Sequence, residues 1–362
     1  MTDTSKEQPK MTVGLDLGDK YSYLFELDNE SAKMIEEGRL RTTPDDLRRR
    51  FDSAEQMKVA IEVGTHSTWV NRVLKECGHE VLVANPRKIG LIYGDKRKTD
   101  KLDAKKLARL ARVDPELLYP IEHRGEESHA HLALIHSRDA LVRSCTQLIN
   151  HVRGTVKSFG ARLPKCRAQS FHKKVADQLP DELANALEDV VETIGSLPER
   201  IRGYDRRIKR GCKESHPRET GLLQPVPGVG ALTSLTFVLT LEDPDRFEKS
   251  RAVGAYLGLV PGKDQSGESD PGKRISREGD EMLRRLLVSN AHYILGSFAS
   301  DSDLRRHGER IASHGGKNAK KRAVVAIARK LAVLLHRLWI TGEAYEPLRN
   351  ARLSGALGEE VA

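Results

Sequence analysis

Four carboxylates stand out by where they fall in the chain. Asp16 lies in a short apolar run (VGLDLG) and Glu62 near the end of another (AIEVGT), while Asp100 and Asp103 sit three residues apart in KTDKLDA. An acid inside an apolar strand is costly to bury unless it is paired or holds a cation. Residues i and i+3 of a helix share a face, their Cβ atoms roughly 5–6 Å apart. Two strand acids and such a pair make a hard-oxygen cage suited to Mg2+ or Mn2+. Two ions roughly 3.5–4 Å apart would clamp the attacking and leaving oxygens of a phosphodiester. Each acid alone has a plainer role: Asp16 as a turn cap, Asp100 and Asp103 as first-turn acids favoured by the helix dipole. The four together, in this order, predict a metal site.

Basic surroundings agree with a phosphate-bearing substrate. Arg87 to Arg112 holds ten Lys/Arg against three Asp, including Lys96, Arg97, Lys98 and Lys105. A solvated helix face is the usual meaning of such a run. Beside a carboxylate cluster it reads as a phosphate-binding rim.

Three further segments bear on the same chemistry. Val226-Pro227-Gly228-Val229-Gly230 looks like a helix-hairpin-helix turn, in which Gly228 and Gly230 let backbone amides approach a phosphate. A purely structural turn has the same composition. The loop Gly262–Ser269 (GKDQSGES) offers Ser266, flanked downstream by Lys273, Arg274 and Arg277. A serine hydroxyl is a weak nucleophile that needs activation, and nearby cations stabilise the charge that develops on phosphorus oxygens. Ser269 in the same loop is a second candidate, and a plain polar loop is the alternative. Asp301–Ile340 again holds ten Lys/Arg against three acids. Its apolar face (Ala323, Ile327, Leu331, Leu334, Leu335, Leu338) packs on its own domain, leaving Lys320, Lys321 and Arg322 for nucleic acid.

The elements that must position these residues fall into three regions. Met11–Leu17 and Tyr21–Leu27 read as strands, with a weaker third around Ala32–Arg39. Thr43-Pro44 starts a helix, with Thr as N-cap and Pro at the first position. Lys58–Val63 is a buried strand, Ser67–Cys77 a helix ended by Gly78, and Glu80–Ala84 another strand. Thr99 caps a helix over DKLDAKKLARLAR. The order β-β-β-α-β-α-β-α predicts a mixed sheet with helices on its faces over residues 11–121.

Residues 122–215 read as purely helical. Leu132, Ile135, Val142, Cys145, Ile149, Val152, Val156 and Phe159 keep 3/4 spacing apart from the slot at Asp139. Leu183, Leu187, Val190, Ile194, Leu197, Ile201, Tyr204 and Ile208 form a heptad seam. Pro198 is a candidate kink. Two long helices joined by a loop predict an antiparallel coiled-coil hairpin, either a dimerisation arm or one edge of a bundle. Residues 216–346 form a mainly helical third region. Residues 1–10 and 347–362 read as tails.

The chain has 362 residues, 61 basic against 52 acidic, for a net charge of +9, with 38 % apolar, 31 % charged and 5 % aromatic residues. That excludes collagen-like, fully disordered and disulfide-scaffold classes and favours a polyanionic partner. Cys77, Cys145, Cys166 and Cys212 form no CxxC pair and read as reduced thiols. The polar N-terminus has no signal-peptide core. The uncharged run Thr220–Leu241 carries two prolines and three glycines, which argues against a membrane span. A cytoplasmic protein is expected.

At this point the chain resembles the DEDD transposases, the insertion-sequence recombinases of the one-ten family, related to Piv-type invertases. VGLDLG, AIEVGT, KTDKLDAKKLA, LLQPVPGVG, YLGLVP, QSG, KRISREG with LRRLL, and AIARKLA occur in that family's order over residues 11–345. The resemblance implies an RNase H-like N-terminal domain of the Holliday-junction-resolvase type, a coiled coil and a C-terminal transposase domain. It implies Asp16, Glu62, Asp100 and Asp103 as the metal tetrad, and Ser266 as the nucleophile that forms a covalent phosphoserine with DNA. It also implies a noncoding bridge RNA that pairs with donor and target DNA, delegating sequence choice to base pairing, and a homodimer or homotetramer. One residue departs from the pattern: after KRISREG the family has asparagine, and this chain has Asp280.

Three alternatives remain open on sequence. A junction-resolving nuclease would use the carboxylates alone and leave residues 221–345 without a role. An actin-like sugar kinase shares the strand-DxG pattern of Asp16-Leu17-Gly18, but no second or third nucleotide motif follows. A non-catalytic DNA-binding protein would not need the four acids and Ser266.

Overall fold

The computed structural model describes residues 9–89, 99–262 and 273–353. The chain forms two compact units, Met1–Gly125 and Glu126–Ala362. Lys96, Arg97, Lys98, Ser266 and Ser269 lie outside the described residues.

The first unit is built on five strands: β1 Met11–Asp16, β2 Tyr21–Asp28, β3 Met34–Arg41, β4 Lys58–Glu62 and β5 Glu80–Ala84. The sheet order is β3-β2-β1-β4-β5. Antiparallel pairing joins β1 to β2 and β2 to β3, and parallel pairing joins β1 to β4 and β4 to β5. Parallel neighbours need crossovers, here supplied by α1 (Pro44–Phe51) and α2 (Ser67–Glu76).

Strand alternation sorts the two faces. Val13, Leu15, Val59 and Ile61 point to a core shared with Leu47, Phe51, Val70, Val73 and Leu74 of α1 and α2. Helix α3 (Asp100–Val113) covers the opposite face, where Ala60 and Ala84 pack with Leu107 and Ala111, and Phe25 and Leu27 with Ala104 and Ala108. The caps follow the sequence. Thr43 Oγ1 accepts from the Asp46 amide, and Thr99 Oγ1 from the Leu102 amide at 3.3 Å.

The second unit is helical. Two long helices, α4 (Glu126–Ser158) and α5 (Asp181–Glu214), run antiparallel. The end of α4 (Val152, Val156) packs with the start of α5 (Leu183, Leu187), and Leu132 and Ile135 pack with Ile208 and Cys212. The seam differs in detail from the expected one. Phe159 is 55 % exposed because α4 ends at Ser158. Val191 rather than Val190 takes the buried slot of α5. Pro198 removes one backbone donor, yet α5 continues through it, since buried Ile194, Leu197 and Ile208 anchor the helix on both sides.

Beyond the hairpin come α6 (Pro217–Leu223), α7 (Ala231–Leu241), α8 (Glu281–Ile294), α9 (Asp303–Ser313) and α10 (Ala319–Thr341). The uncharged run ends in α7, whose residues from Thr233 to Leu241 are all buried. It is apolar all round because it is the central core helix of this unit. None of the described helices is long and apolar enough to cross a membrane. Ala323, Ile327, Leu331, Leu335 and Leu338 of α10 are buried, with Leu334 packed at the edge. The expected C-terminal tail is ordered at its start. Arg349–Leu353 forms a short helix, and the Asn350 amide donates to Asp303 Oδ2 at 2.7 Å.

Candidate metal centre and nucleic-acid interface

Asp16 and Glu62 each close their strand, one residue beyond the Leu15–Ile61 pair on both β1 and β4. They are therefore side by side at the C-terminal edge of the central parallel pair. Alternation puts both on the face of Gly14 and Ala60, the face covered by α3.

The approach of α3 to β1 has a specific cause. A Cβ on Gly14 would lie 2.0 Å from the Ala104 carbonyl oxygen and 2.6 Å from the Ala108 amide nitrogen. Only glycine lets the helix backbone lie directly on the strand. The helix polarity is fixed at its other end, where Arg112 Nε donates to Asn29 O at 3.0 Å, and Asn29 N donates to Lys10 O beside the start of β1. The first turn of α3, with Asp100 and Asp103, thus points to the end of β1 that carries Asp16. Asp103 is buried at 3 % exposure and Asp100 is exposed, while Asp16 and Glu62 are half-buried.

This edge fits a hard divalent cation by donor chemistry: carboxylate oxygens, two in register and two at a helix start. Among the described residues, no three His, Cys, Asp or Glu side chains already stand close enough to hold an ion. Sequence reading missed one pair at the same edge. Asp19, just after β1, lies 3.5 Å from Nε2 of His66, just after β4, and His66 Nδ1 accepts from Trp69 Nε1. Their proximity follows only from the parallel pairing of the two strands. His79, by contrast, is structural: Nδ1 accepts from the Met57 amide and Nε2 donates to Phe51 O. Burial and the neighbouring Asp52 push the Cys77 thiol up to about 11, so it stays protonated.

Lys105 lies with its ammonium 5.7 Å from the Phe25 ring centroid, and Lys101 pairs with Glu37. In the second unit, two basic segments read separately in the sequence converge. Lys273, Arg274 and Arg277 share a groove of about 820 Å³ with Lys321, Arg322 and Arg329, floored by Leu259, Pro261 and Ile275. Lys320 is exposed on α10 outside the groove lining. Arg329 was not singled out in the sequence, although its place two helical turns beyond Arg322 puts it on the same helix stripe.

The segment before residue 263 and the one after residue 272 are tied together. Gly262 N donates to Arg274 O at 3.0 Å, and Ser276 N to Val260 O at 2.9 Å. Gly279 (φ +73°) makes a close passage, since a Cβ there would lie 2.0 Å from Tyr256 O. Asp280 is the N-cap of α8: its Oδ1 accepts from the Leu283 amide at 2.8 Å. The carboxylate therefore does the capping that an asparagine amide oxygen would do.

The PGVG turn joins α6 to α7. Gly228 (φ +82°) packs against α8, where a Cβ would lie 3.1 Å from Tyr293 Cδ1. With its amide oriented to accept from Thr233 Oγ1, Asn290 donates to Gly228 O at 2.9 Å. Gly230 is exposed and caps α7 with no side chain.

Strand-end carboxylates mark the first unit and a basic groove the second, and comparison with known proteins supplies the class of the chain. Residues 13–160 match the DEDD transposase family of IS110 elements, and residues 220–307 match the family described as Transposase IS116/IS110/IS902. The chain is 30 % identical over 304 residues to a putative transposase of Sinorhizobium fredii, y4pF/y4sB, covering 82 % of this chain and 76 % of that protein. It is 28 % identical over 261 residues to the transposase for insertion sequence element IS1111A of Coxiella burnetii, covering 70 % of each. It is 24 % identical over 261 residues to the pilin gene-inverting protein of Moraxella bovis, covering 71 % of each. The chain belongs to the IS110 family of transposases, enzymes that cut and rejoin DNA.

Proposed function

We propose that this transposase moves its insertion sequence with a divalent-metal carboxylate tetrad, Asp16, Glu62, Asp100 and Asp103, and a serine nucleophile, Ser266. The observation that carries the reading is the in-register placement of Asp16 and Glu62 at one strand edge, facing the helix that begins with Asp100 and Asp103. A sheet of order β3-β2-β1-β4-β5, antiparallel only at β2, supports an RNase H-like first unit.

In this reading the four carboxylates hold Mg2+ or Mn2+, which supplies Lewis-acid polarisation of phosphate oxygens. The chain's own residues do the rest. The groove cations Lys273, Arg274, Arg277, Lys321 and Arg322 bind the phosphate backbone and offset charge as it develops. Lys96, Arg97, Lys98 and Lys105 contribute phosphate contacts to the first unit, and Lys320 adds one beside the groove. Gly228 and Gly230 let the α6–α7 turn approach the backbone. Ser266 Oγ forms a bond to phosphorus as the bond to one deoxyribose oxygen breaks, and that oxygen leaves with a proton. Attack by a second strand's hydroxyl reverses the step, so the phosphoester bond energy is conserved without ATP. A bridge RNA selects donor and target by pairing, and the enzyme works as a homodimer or homotetramer.

The test is covalent capture. Purified protein, Mg2+, donor and target DNA and RNA from the element's flanks are incubated and resolved on a denaturing gel. A protein–DNA adduct lost in both Ser266→Ala and Asp16→Asn is expected. Cleavage without adduct, indifferent to Ser266→Ala, would leave a resolvase-like metal nuclease instead.

A further inference from the structure

A second basic groove lies in the helical unit, apart from the one lined by Lys273 and Arg322. It has a volume of about 740 Å³ and runs between the C-terminal half of α5 and the α6–α7 turn. Arg206, Lys209, Arg210 and Lys213 line one wall, and Gln224 and Ala231 lie opposite. Their spacing of i, i+3, i+4 and i+7 puts all four cations on one helix face over about 10 Å.

Their charge is only partly spent. Arg206 pairs with Glu199 at 3.1 Å, and Arg210 stands 3.9 Å from Glu214, which also borders the groove. Lys209 and Lys213 make no ion pair among the described residues. The segment Arg200–Lys213 carries seven Lys/Arg against Asp205 alone. Holding like charges together on one face costs stability unless an anion binds there. The groove opens beside the exposed Gly230 cap of α7, whose first-turn amides add positive partial charge.

We propose that this groove binds the sugar–phosphate backbone of duplex DNA. The residues lining it include no aromatic side chain. Single-stranded nucleic acid is held largely by stacking bases on aromatic rings, so a basic, ring-free groove reads backbone. A wall about 10 Å long fits two or three successive phosphates of one strand. The inference rests on the DNA-handling reading of the second unit and adds a contact surface to it.

The test is duplex binding by the full-length chain, followed by fluorescence anisotropy over a range of salt. The Lys209→Ala/Lys213→Ala variant is expected to bind about tenfold more weakly, with a salt slope shallower by about 2, one for each lost phosphate contact. Gln224→Glu adds a charge without changing shape, and weakens binding several-fold with an unchanged Tm. Gln224→Ala, which removes the amide without adding charge, weakens it less than Gln224→Glu. If the lysine variant folds poorly, the two Gln224 variants decide the matter. Wild-type affinity and slope in both the lysine and Gln224→Glu variants would overturn the groove while leaving the transposase reading intact. Absence of duplex binding by the wild-type chain would overturn both. Loss confined to a double-stranded RNA hairpin, with DNA unaffected, would overturn the assignment to DNA.

Discussion

Gly14 and Ala104 meet backbone to backbone: a Cβ on Gly14 would lie 2.0 Å from the Ala104 carbonyl oxygen. This contact seats α3 directly on β1 and carries Asp103, the preceding residue, to the strand edge that ends in Asp16. Position 14 therefore governs the candidate metal centre without belonging to it. Gly14→Ala is expected to push the helix away, costing about 1–3 kcal/mol as an overpacking change. Strand cleavage should fall further than stability does. Urea unfolding alongside a cleavage assay checks this, and near-normal cleavage in a destabilised variant would contradict it.

The carboxylates should respond differently from the groove cations. Asp16→Asn and Glu62→Gln keep shape and remove charge, so they should abolish DNA cleavage while leaving duplex binding near normal. Removing divalent metal with EDTA should mimic them, and Mg2+ or Mn2+ should restore the wild type. Wild-type cleavage undiminished by EDTA would exclude a metal role for these acids.

Arg322→Ala/Arg329→Ala should do the reverse. These side chains line the groove shared with Lys273, Arg274 and Arg277. Losing two cations should make the salt dependence of duplex binding shallower by about 2. An unchanged slope in anisotropy titrations would remove this groove from the DNA path.

Asp280 caps α8, and an asparagine there keeps that contact. Its Oδ1 accepts from the Leu283 amide at 2.8 Å, and an asparagine oxygen can do the same. Asp280→Asn should lower Tm less than Asp280→Ala, which should cost about 1 kcal/mol. Thermal melts of the two variants distinguish these outcomes.

His336 predicts a pH dependence of stability. It is fully buried, its Nε2 donating to Pro244 O at 2.9 Å and its Nδ1 accepting from Ser250 Oγ at 3.0 Å. Burial holds its pKa below the ordinary 6.5. Below pH 6.5 the unfolded chain gains a proton that the folded chain refuses, so stability present above that value declines as pH falls. His336→Gln should flatten that part of the curve in denaturant titrations from pH 7.5 to pH 5. An unchanged slope would show that other groups set it.

Much of the local structure was legible in the sequence because local rules set it. Thr43 with Pro44 and Thr99 marked helix starts, since a side-chain oxygen at the cap satisfies amides the helix cannot. Asp16 and Glu62 stood out because a carboxylate at the end of an apolar run demands a reason. The apolar seam of α5 was legible at Leu183, Leu187, Ile194, Leu197 and Ile208, but tertiary packing buries Val191 more deeply than Val190 and leaves Tyr204 outside the core.

What the sequence could not supply was which distant residues meet. The parallel register of β1 and β4 put Asp16 beside Glu62 and brought His66 within 3.5 Å of Asp19. Arg274 and Arg322 read as separate basic segments, and only the packing of α10 turned them into one groove. The cations of α5 lie off its apolar seam, and only the packing of the α6–α7 turn closes a second groove against them. By itself the sequence determined the element types, the caps, the core faces and the acids that needed an explanation, because these depend on neighbours three or four residues away. The tertiary structure decided the groove partners, the strand-edge pairing and the seating of α3 on Gly14, because those depend on backbone approach between segments far apart in the chain.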